Sequence, residues 1–263
     1  MGAAIHVGIG GWDFEPWQGT FYPAGLAKSR QLEHAARHLT AIEINATHYR
    51  LQKPDSFRKW AASVPGDFKF TIKASRFCTN RRVLADAGPG IANFCAQGFT
   101  ELGDRLGPIL WQFMNHKQFD PVDFAAFLNL LPRERDGLSL QHALEVRHES
   151  FKNRDFIAMA RDAGMAIVFA DSDDYPEIAD LTADFVYARL QRCREEWATG
   201  YDNDSLDRWV KVAKAWSEGD TPDGLAYVDA ASAPLIPRET FVFFIAGAKV
   251  RAPAAAQALI ERL

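Results

Sequence analysis

The feature that most constrains the fold is a repeated unit, in which a short apolar run ends at a polar side chain and a helix-like segment follows. Strands buried on both faces of a parallel sheet have such nearly continuous apolar sequences. Strands that alternate with helices indicate a parallel sheet. The pattern predicts eight strands, at Ile5–Gly10, Ala41–Asn45, Phe68–Lys73, Ile109–Phe113, Ala143–Arg147, Ala166–Asp171, Phe185–Leu190 and Phe241–Ala246.

Helical spacing of apolar residues is clearest in three of the connecting segments. It predicts helices over Lys28–Leu39, over Asp204–Trp216 with Asp204 as the N-cap, and from Ala252 to the C-terminus. The sixth connection, near residues 176–180, leaves room only for a short or irregular helix. Residues 221–240 form a long Pro-containing connection, for which we expect either a small strand at residues 225–228 or a lid.

The length of the chain favours a closed barrel. The 263 residues, of which 48% are hydrophobic, are close to the roughly 250 residues of a (β/α)₈ barrel. An open doubly wound sheet usually has a G-x-G-x-x-G motif after its first strand, and Asp13 breaks that spacing. We therefore expect an α/β fold with a single (β/α)₈ TIM-type barrel domain over residues 1–263.

Charge and cysteine content restrict the partners and the compartment. A net charge of −4 without a basic segment argues against nucleic acid and membrane surfaces as partners. The three cysteines are far apart and form no Cys-x-x-Cys motif, so we expect reduced thiols. No secretory signal pattern and no long apolar stretch are present, which predicts a soluble cytoplasmic protein.

Polar residues at the strand ends are the candidate site. In a TIM-type barrel the C-terminal ends of the strands surround one opening, the mouth, where enzymes of this fold keep their chemistry. The alternative is a polar plug that only caps the core. Side chains expected at the mouth are Glu43, Asn45, Lys73, Gln112, Glu145, Arg147, Asp171 and Arg189.

The charges of these residues favour an anionic ligand over a metal ion. Three carboxylates, Glu43, Glu145 and Asp171, are matched by three cations, Lys73, Arg147 and Arg189. A carboxylate-rich metal centre would leave excess negative charge for the ion to neutralise. We expect no cofactor. A divalent metal is the alternative, with His48 or His148 joining the carboxylates as ligands.

Three further residues are candidates for substrate binding. Trp12 follows the Gly-rich end of the first strand and is placed to stack on a ligand. Lys249 and Arg251 follow the eighth strand, where loops and a helix N-terminus often form a phosphate site in this fold. The alternative for these two bases is a solvated surface position.

A series of motifs extends in order along nearly the whole chain: Gly8–Trp12, Phe21–Pro23, Ile42–Asn45 with Tyr49, Phe68–Lys73, Leu106–Gln112, Glu145–His148, Asp171, Tyr187–Arg189, Tyr201 and Trp209. In these motifs the chain resembles the domain-of-unknown-function 72 (YecE-like) family. The resemblance implies a TIM-type barrel but no reaction. The chain departs from the family pattern after strands seven and eight, at Gln191–Arg192 and Ile245–Gly247, which puts a shared role of those loops in doubt.

Three functions fit this sequence. The first is a cofactor-independent hydrolase, lyase or isomerase that acts by general acid/base chemistry on a small anionic or sugar-like substrate. Its catalytic residues would be Glu43, Lys73, Glu145 and Asp171, with Glu43 or Glu145 as proton donor or acceptor. The second is a metal-dependent isomerase or phosphodiesterase. The third is a non-catalytic protein that binds a ligand or docks a partner at the mouth.

Overall fold

Eight parallel β-strands form the centre of the protein. The structure, a computed structural model, describes residues 2–229 and 233–263. The strands are β1 (Ile5–Gly10), β2 (Ala41–Ile44), β3 (Lys69–Lys73), β4 (Leu106–Gln112), β5 (His142–Glu145), β6 (Ala166–Ile167 and Phe169–Asp171), β7 (Phe185–Leu190) and β8 (Glu239–Phe244).

The sheet closes on itself through β6, which is interrupted at Val168. The first part of β6 pairs with β5, and the second part pairs with β7. Strand β1 pairs with β2 on one side and with β8 on the other. Each strand therefore has two parallel neighbours, and the predicted α/β TIM-type barrel is confirmed.

Nine α-helices are present in the described residues, most of them packed outside the barrel. They are α1 (Lys28–Ala36), α2 (Ala46–Tyr49), α3 (Pro54–Ala62), α4 (Arg76–Thr79), α5 (Gly88–Cys95), α6 (Pro121–Leu130), α7 (Arg154–Asp162), α8 (Asn203–Glu218) and α9 (Ala252–Ile260). The predicted N-cap of α8 was wrong by two residues. Asp202 caps the helix, because its carboxylate accepts a hydrogen bond from the Ser205 amide.

The sixth connection contains no helix, although we expected a short or irregular one. Residues 172–184 are extended or bent instead. Their polar groups pair with the segment that follows α8: the Asp180 carboxylate accepts from the amides of Val228 and Asp229, and the Ala179 amide donates to the Ala226 carbonyl. These bonds replace the ones that a helix would have made.

In its described residues, the long connection before β8 contains neither the expected strand nor a segment that lines the mouth. Leu225–Val228 has no strand conformation, and the Ala226 carbonyl accepts a hydrogen bond from the Ala179 amide of the sixth connection. None of the described residues of 221–229 and 233–240 lines the mouth. Residues 230–232 of this predicted segment lie outside the described residues.

The barrel interior is layered, and its polar groups lie at the two ends. The middle is filled by small and aromatic side chains such as Ala41, Ala143 and Phe241. At the N-terminal end, His6 Nε2 lies 2.8 Å from Glu239 Oε1. The other polar layer lies at the C-terminal end, where it forms the floor of the mouth.

The structure also bears on two expectations from the sequence, reduced cysteines and the absence of a membrane-spanning helix. All three cysteines, Cys78, Cys95 and Cys193, are free and buried. In the described part of the chain, no helix combines the length and the apolar character that a membrane crossing requires.

Candidate active site

The mouth of the barrel contains a cavity of about 700 Å³, a size typical of sites for small molecules. Its walls come from the loops after β1, β2, β7 and β8, and its floor comes from the strand ends. The lining residues are Gly10, Gly11, Trp12, Asp13, Ile44, Asn45, Ala46, Tyr49, Arg50, Gln52, Trp60, Lys73, Gln112, Arg147, Arg189, Gln191, Ile245, Ala246 and Lys249.

Arg189 bridges two buried carboxylates in the floor. Its Nη1 donates to Glu145 Oε2 at 2.5 Å, and its Nη2 donates to Glu43 Oε1 at 3.1 Å. All three residues are buried, with at most 2% of each exposed. Burial by itself lowers the pKa of Arg189, but Glu145 and Glu43 outweigh it and raise that pKa. The guanidinium therefore stays charged. Its two ion pairs link strand β7 to strands β2 and β5.

Glu43 is held from a second side by Tyr187. The Tyr187 hydroxyl donates to Glu43 Oε2 at 2.7 Å and lies 2.9 Å from Thr71 Oγ1. Burial and the Glu43 charge raise the pKa of Tyr187 well above its ordinary value, so the phenol keeps its proton. Both oxygens of Glu43 thus accept hydrogen bonds from groups that stay protonated.

Glu145 is surrounded by donors. Gln112 Nε2 donates to Oε2 at 2.7 Å, and Arg147 donates to Oε1 through Nη2 at 2.9 Å and through Nε at 3.1 Å. Burial alone would raise the pKa of Glu145, but the positive charges of Arg189 and Arg147 outweigh it and lower the pKa to about 2. Glu145 is therefore ionised at neutral pH.

Lys73, the last residue of β3, lines the cavity. Only 8% of the residue is exposed, and its ammonium has no hydrogen-bond partner among residues 2–229 and 233–263. Burial, together with repulsion from Arg189, lowers the pKa of Lys73 to about 8. Because Lys73 lines the cavity and its ammonium contacts no protein acceptor in the described residues, it is a candidate for contact with a ligand.

The floor has an excess of positive charge when Lys73 is protonated. Glu43 and Glu145 contribute two negative charges, whereas Lys73, Arg147 and Arg189 contribute three positive ones. The two carboxylates lie beneath the cavity and do not line it, while the three cations do. The surface that a ligand meets is therefore positive.

Comparison with known proteins identifies the family. The sequence model of the family described as "Protein of unknown function DUF72" matches residues 6–263. The chain belongs to the DUF72 family. The UPF0759 protein YecE of Escherichia coli K12 is 27% identical to this DUF72 chain over 150 residues, which cover 56% of the chain and 50% of YecE. The chain thus spans about half the length of the curated relatives that it matches first.

Solved structures support the fold of the DUF72 chain. A DUF72 family protein from Thermotoga maritima superimposes with a TM-score of 0.74 at 23% identity, over 98% of each chain. The protein SacUVDE superimposes with a TM-score of 0.55 at 10% identity, over 99% of each chain. At such identities these similarities show the barrel fold alone.

Most of the residues predicted for the mouth lie there in the DUF72 barrel. Trp12, Asn45, Lys73, Gln112, Arg147 and Arg189 line the cavity, and Glu43 and Glu145 lie directly beneath it. The Trp12 ring packs edge-on against Trp60 of α3, with their centroids 5.2 Å apart. An added Cβ on Gly10 would lie 2.9 Å from Asn45 Nδ2, so glycine leaves room for the amide at the cavity wall.

Asp171 is the exception, because it points away from the mouth. In the β6–β7 register Ala170 is opposite Arg189, so the next residue, Asp171, lies on the outer face of the barrel. There its carboxylate accepts from Arg192 Nη1 and, at 3.3 Å, from the Tyr201 hydroxyl. The structure therefore does not bring Asp171 together with the other predicted catalytic residues.

The two bases after β8 differ in position. Lys249 lines the cavity, although its ammonium lies 4.5 Å from the centroid of the Phe14 ring, and burial lowers its pKa. Arg251 does not line this cavity. Both bases line a neighbouring groove with Phe14 and Glu195, so a phosphate site that uses the two of them would lie in that groove and not at the floor of the mouth.

The ligand set considered for a metal ion is dispersed. His48 Nδ1 lies 2.8 Å from the Ala74 carbonyl, His148 Nδ1 accepts from the Ser150 amide, and Asp171 lies outside the barrel. In the described part of the chain, no three His, Cys, Asp or Glu side chains are grouped so that they could hold a metal ion.

Several residues of the DUF72 site were missed by sequence reasoning, and three of them are informative. Tyr187 lies two positions before Arg189, so period-two alternation could have placed both on the inner face. Tyr175, which stacks on Arg147 with its centroid 4.2 Å from the guanidinium carbon, had no sequence signal. Ala246 at the cavity wall has a left-handed φ of 64°, a conformation that costs free energy for a residue other than glycine.

Proposed function

We propose that the mouth is the active site of a cofactor-independent hydrolase, lyase or isomerase, which acts on a small anionic or sugar-like substrate by general acid/base chemistry. The observation that carries the proposal is Lys73, a buried amine that faces the cavity without a hydrogen-bond partner among the described residues. The DUF72 barrel supplies the setting, since enzymes of this architecture react at this end.

Lys73 is the proton-transfer group in this proposal. A general base is most effective when its pKa is near the operating pH, and the pKa of Lys73 is lowered to about 8. Glu145 is less suited, because its pKa is about 2 and its oxygens are already occupied by Arg189, Gln112 and Arg147. The proposal therefore changes the role that we assigned to Glu145 from sequence: its carboxylate orients Arg147 and Arg189.

Arg147 and Arg189 would bind the substrate anion. Both residues line the cavity, and the orientation of their guanidinium groups is set by the carboxylates beneath them. Trp12 and Asn45 lie on the wall, where they can contact the rest of the substrate. We expect neither nucleic acid nor membrane as a partner, and the free, buried cysteines fit a reducing compartment such as the cytoplasm.

The proposal is tested by proton exchange with solvent deuterium. We would incubate the protein in D₂O with single small carboxylates and sugar phosphates, and follow their C–H signals by proton NMR. We expect wild-type protein to exchange or convert at least one of these anions, and the variant Lys73→Met to be at least 100-fold slower. The control Lys69→Met changes a lysine on the same strand that does not line the cavity, and should keep the wild-type rate.

The other two functions make different predictions. A metal-dependent isomerase or phosphodiesterase would contain a stoichiometric ion whose removal by a chelator abolishes turnover. A non-catalytic binding protein would bind an anion tightly and leave its C–H signals unchanged. Binding without exchange or conversion for every anion tested would overturn the enzymatic proposal.

A further inference from the structure

We propose that Lys73 forms a covalent imine with the carbonyl carbon of a small aldehyde or ketone that also has a carboxylate or phosphate group. This inference rests on the proposed function and deepens it, because it names the substrate class of the same site. It also gives Lys73 a nucleophilic step in addition to proton transfer.

The position of the amine is the first argument. Lys73 lies at the end of β3 with its ammonium group at the floor of the cavity and no acceptor within hydrogen-bond distance in the described part of the chain. Lys69, on the same face of β3, donates to the Asp104 carbonyl at 2.9 Å, and Lys117 donates to Asp123 at 2.8 Å. A buried amine left without such an acceptor is free to attack a ligand.

The protonation state of the amine is the second argument. Only a neutral amine attacks a carbonyl carbon, and burial together with Arg189 lowers the pKa of Lys73 to about 8. At pH 7 about a tenth of the Lys73 side chains are then neutral, several hundred times more than for an ordinary lysine. The fold therefore prepares the amine for nucleophilic attack.

The cysteine thiols do not compete for this role. Burial raises the pKa of Cys78 and of Cys193 to about 12, and that of Cys95 to about 11. A buried thiol with a raised pKa is a poor nucleophile at neutral pH. None of the three thiols lines the mouth cavity.

The anionic group of the substrate follows from the neighbours of Lys73. Arg147 and Arg189 line the same cavity, and both are fixed by ion pairs with Glu145. A carboxylate or phosphate bound by these guanidinium groups would hold an adjacent carbonyl near the amine. Fixing the ligand in this way raises the effective concentration of the carbonyl at Lys73.

The covalent step balances without a cofactor. The neutral amine attacks the carbonyl carbon, a C–N bond forms, the C=O π bond breaks, and a proton moves from the nitrogen to the oxygen to give a carbinolamine. The hydroxyl then takes up a proton from solvent and leaves as water, while the nitrogen lone pair forms the C=N bond of the protonated imine. Its positive nitrogen withdraws electrons from the neighbouring C–H or C–C bond, which is the chemistry of a lyase or isomerase. Hydrolysis of the imine returns the amine and the carbonyl compound.

Reductive trapping tests the inference. Full-length protein is incubated separately with glyoxylate, pyruvate and glyceraldehyde 3-phosphate in the presence of cyanoborohydride, and the adducts are located by intact-mass measurement and peptide mapping. We expect one saturable adduct on Lys73 with at least one of these anionic probes. We expect at least tenfold slower labelling of Lys73 by acetaldehyde, which has no anionic group. Lys73→Met should lose the saturable adduct, and Lys69→Met should keep it.

The trapping and deuterium-exchange experiments together distinguish imine formation by Lys73 from acid/base catalysis by Lys73. If no probe labels Lys73 while Lys73-dependent deuterium exchange is observed, the imine is overturned and acid/base catalysis stands. Equal labelling by acetaldehyde and by the anions overturns the substrate class. Because peptide mapping of wild-type protein locates the adduct directly, the result does not depend on the folding of the Lys73→Met variant.

Discussion

Arg189 Nη1 donates to Glu145 Oε2 across 2.5 Å, in an ion pair whose two side chains are 3% and 1% exposed. The pair joins β7 to β5 through the interior of the barrel. The ion pair also involves Glu145, the carboxylate for which the sequence indicated a role as proton donor or acceptor. Because Arg189 occupies an oxygen of Glu145, our proposal assigns proton transfer to Lys73 instead.

Removal of the Arg189 guanidinium should destabilise the fold strongly. Arg189→Met would leave Glu43 and Glu145 buried without the cation that they share. Breaking a buried ion pair by removing one partner costs about 3–5 kcal/mol of unfolding free energy. Urea denaturation followed by tryptophan fluorescence would measure the loss. Arg30→Met, which removes an exposed partner of Glu33, should cost less than about 0.5 kcal/mol. A loss below about 1 kcal/mol for Arg189→Met would contradict the structure.

Glu145 should make the protein sensitive to acid. Burial raises its pKa, but Arg189 and Arg147 outweigh burial and hold the pKa at about 2 in the folded state, against an ordinary value of 4.5. This stabilisation is complete above the unfolded pKa and is lost as the pH falls from about 5 to about 2, by roughly 3 kcal/mol. Glu145→Gln should therefore show a flatter decline of unfolding free energy over that range. The exposed Glu218→Gln should keep the wild-type slope, and identical slopes for Glu145→Gln and wild type would refute this assignment.

Lys73→Met should stabilise the protein, although it removes the proposed catalytic group. Burial and Arg189 lower the pKa of Lys73 from 10.5 to about 8, so the folded state carries the full cost of the buried charge below pH 8. Wild-type stability should rise between about pH 8 and 10.5, because there the unfolded state binds more protons. We expect a gain of about 1–3 kcal/mol for Lys73→Met at pH 7 in urea denaturation. Lys69→Met, which loses a hydrogen bond, should show no gain.

Asp171 should matter little for activity. Asp171→Asn removes a charge that pairs with Arg192, but burial raises the pKa of Asp171 and offsets what the pairing gains, so we expect a change of less than about 1 kcal/mol in unfolding free energy. Deuterium exchange at the mouth should stay within twofold of wild type. Asp173→Asn is the matched control, since this exposed carboxylate pairs with the same arginine at 2.8 Å. A tenfold loss of exchange in Asp171→Asn alone would show that Asp171 takes part in the chemistry.

The left-handed backbone at Ala246 offers a stabilising substitution. Its φ of 64° is unfavourable for alanine and not for glycine, so Ala246→Gly should raise the unfolding free energy by about 0.5–1 kcal/mol. Ala248 has a φ of −74°, and Ala248→Gly should lower stability by a similar amount. Thermal unfolding of both variants would check the opposite signs.

The sequence predicted the barrel because its signals are local. Apolar runs located all eight strands, and period-two alternation within β3 correctly placed Lys69 and Lys73 on one face. The same alternation could have corrected Asp171, since the small residues Ala166 and Ala170 occupy the inner positions of β6. The sequence also did not reveal that the sixth connection lacks a helix, because its hydrogen bonds go to residues about 50 positions later.

By itself, the sequence determined the eight strands, their order and which residues reach the C-terminal end of the barrel. The tertiary structure alone decided what each of them can do there. Glu43, Glu145 and Arg189 come from three strands and meet only when the barrel closes. Their pairing holds Glu145 ionised and leaves Lys73 without a partner in the described residues, because a pKa depends on burial and on charges that are distant in the chain.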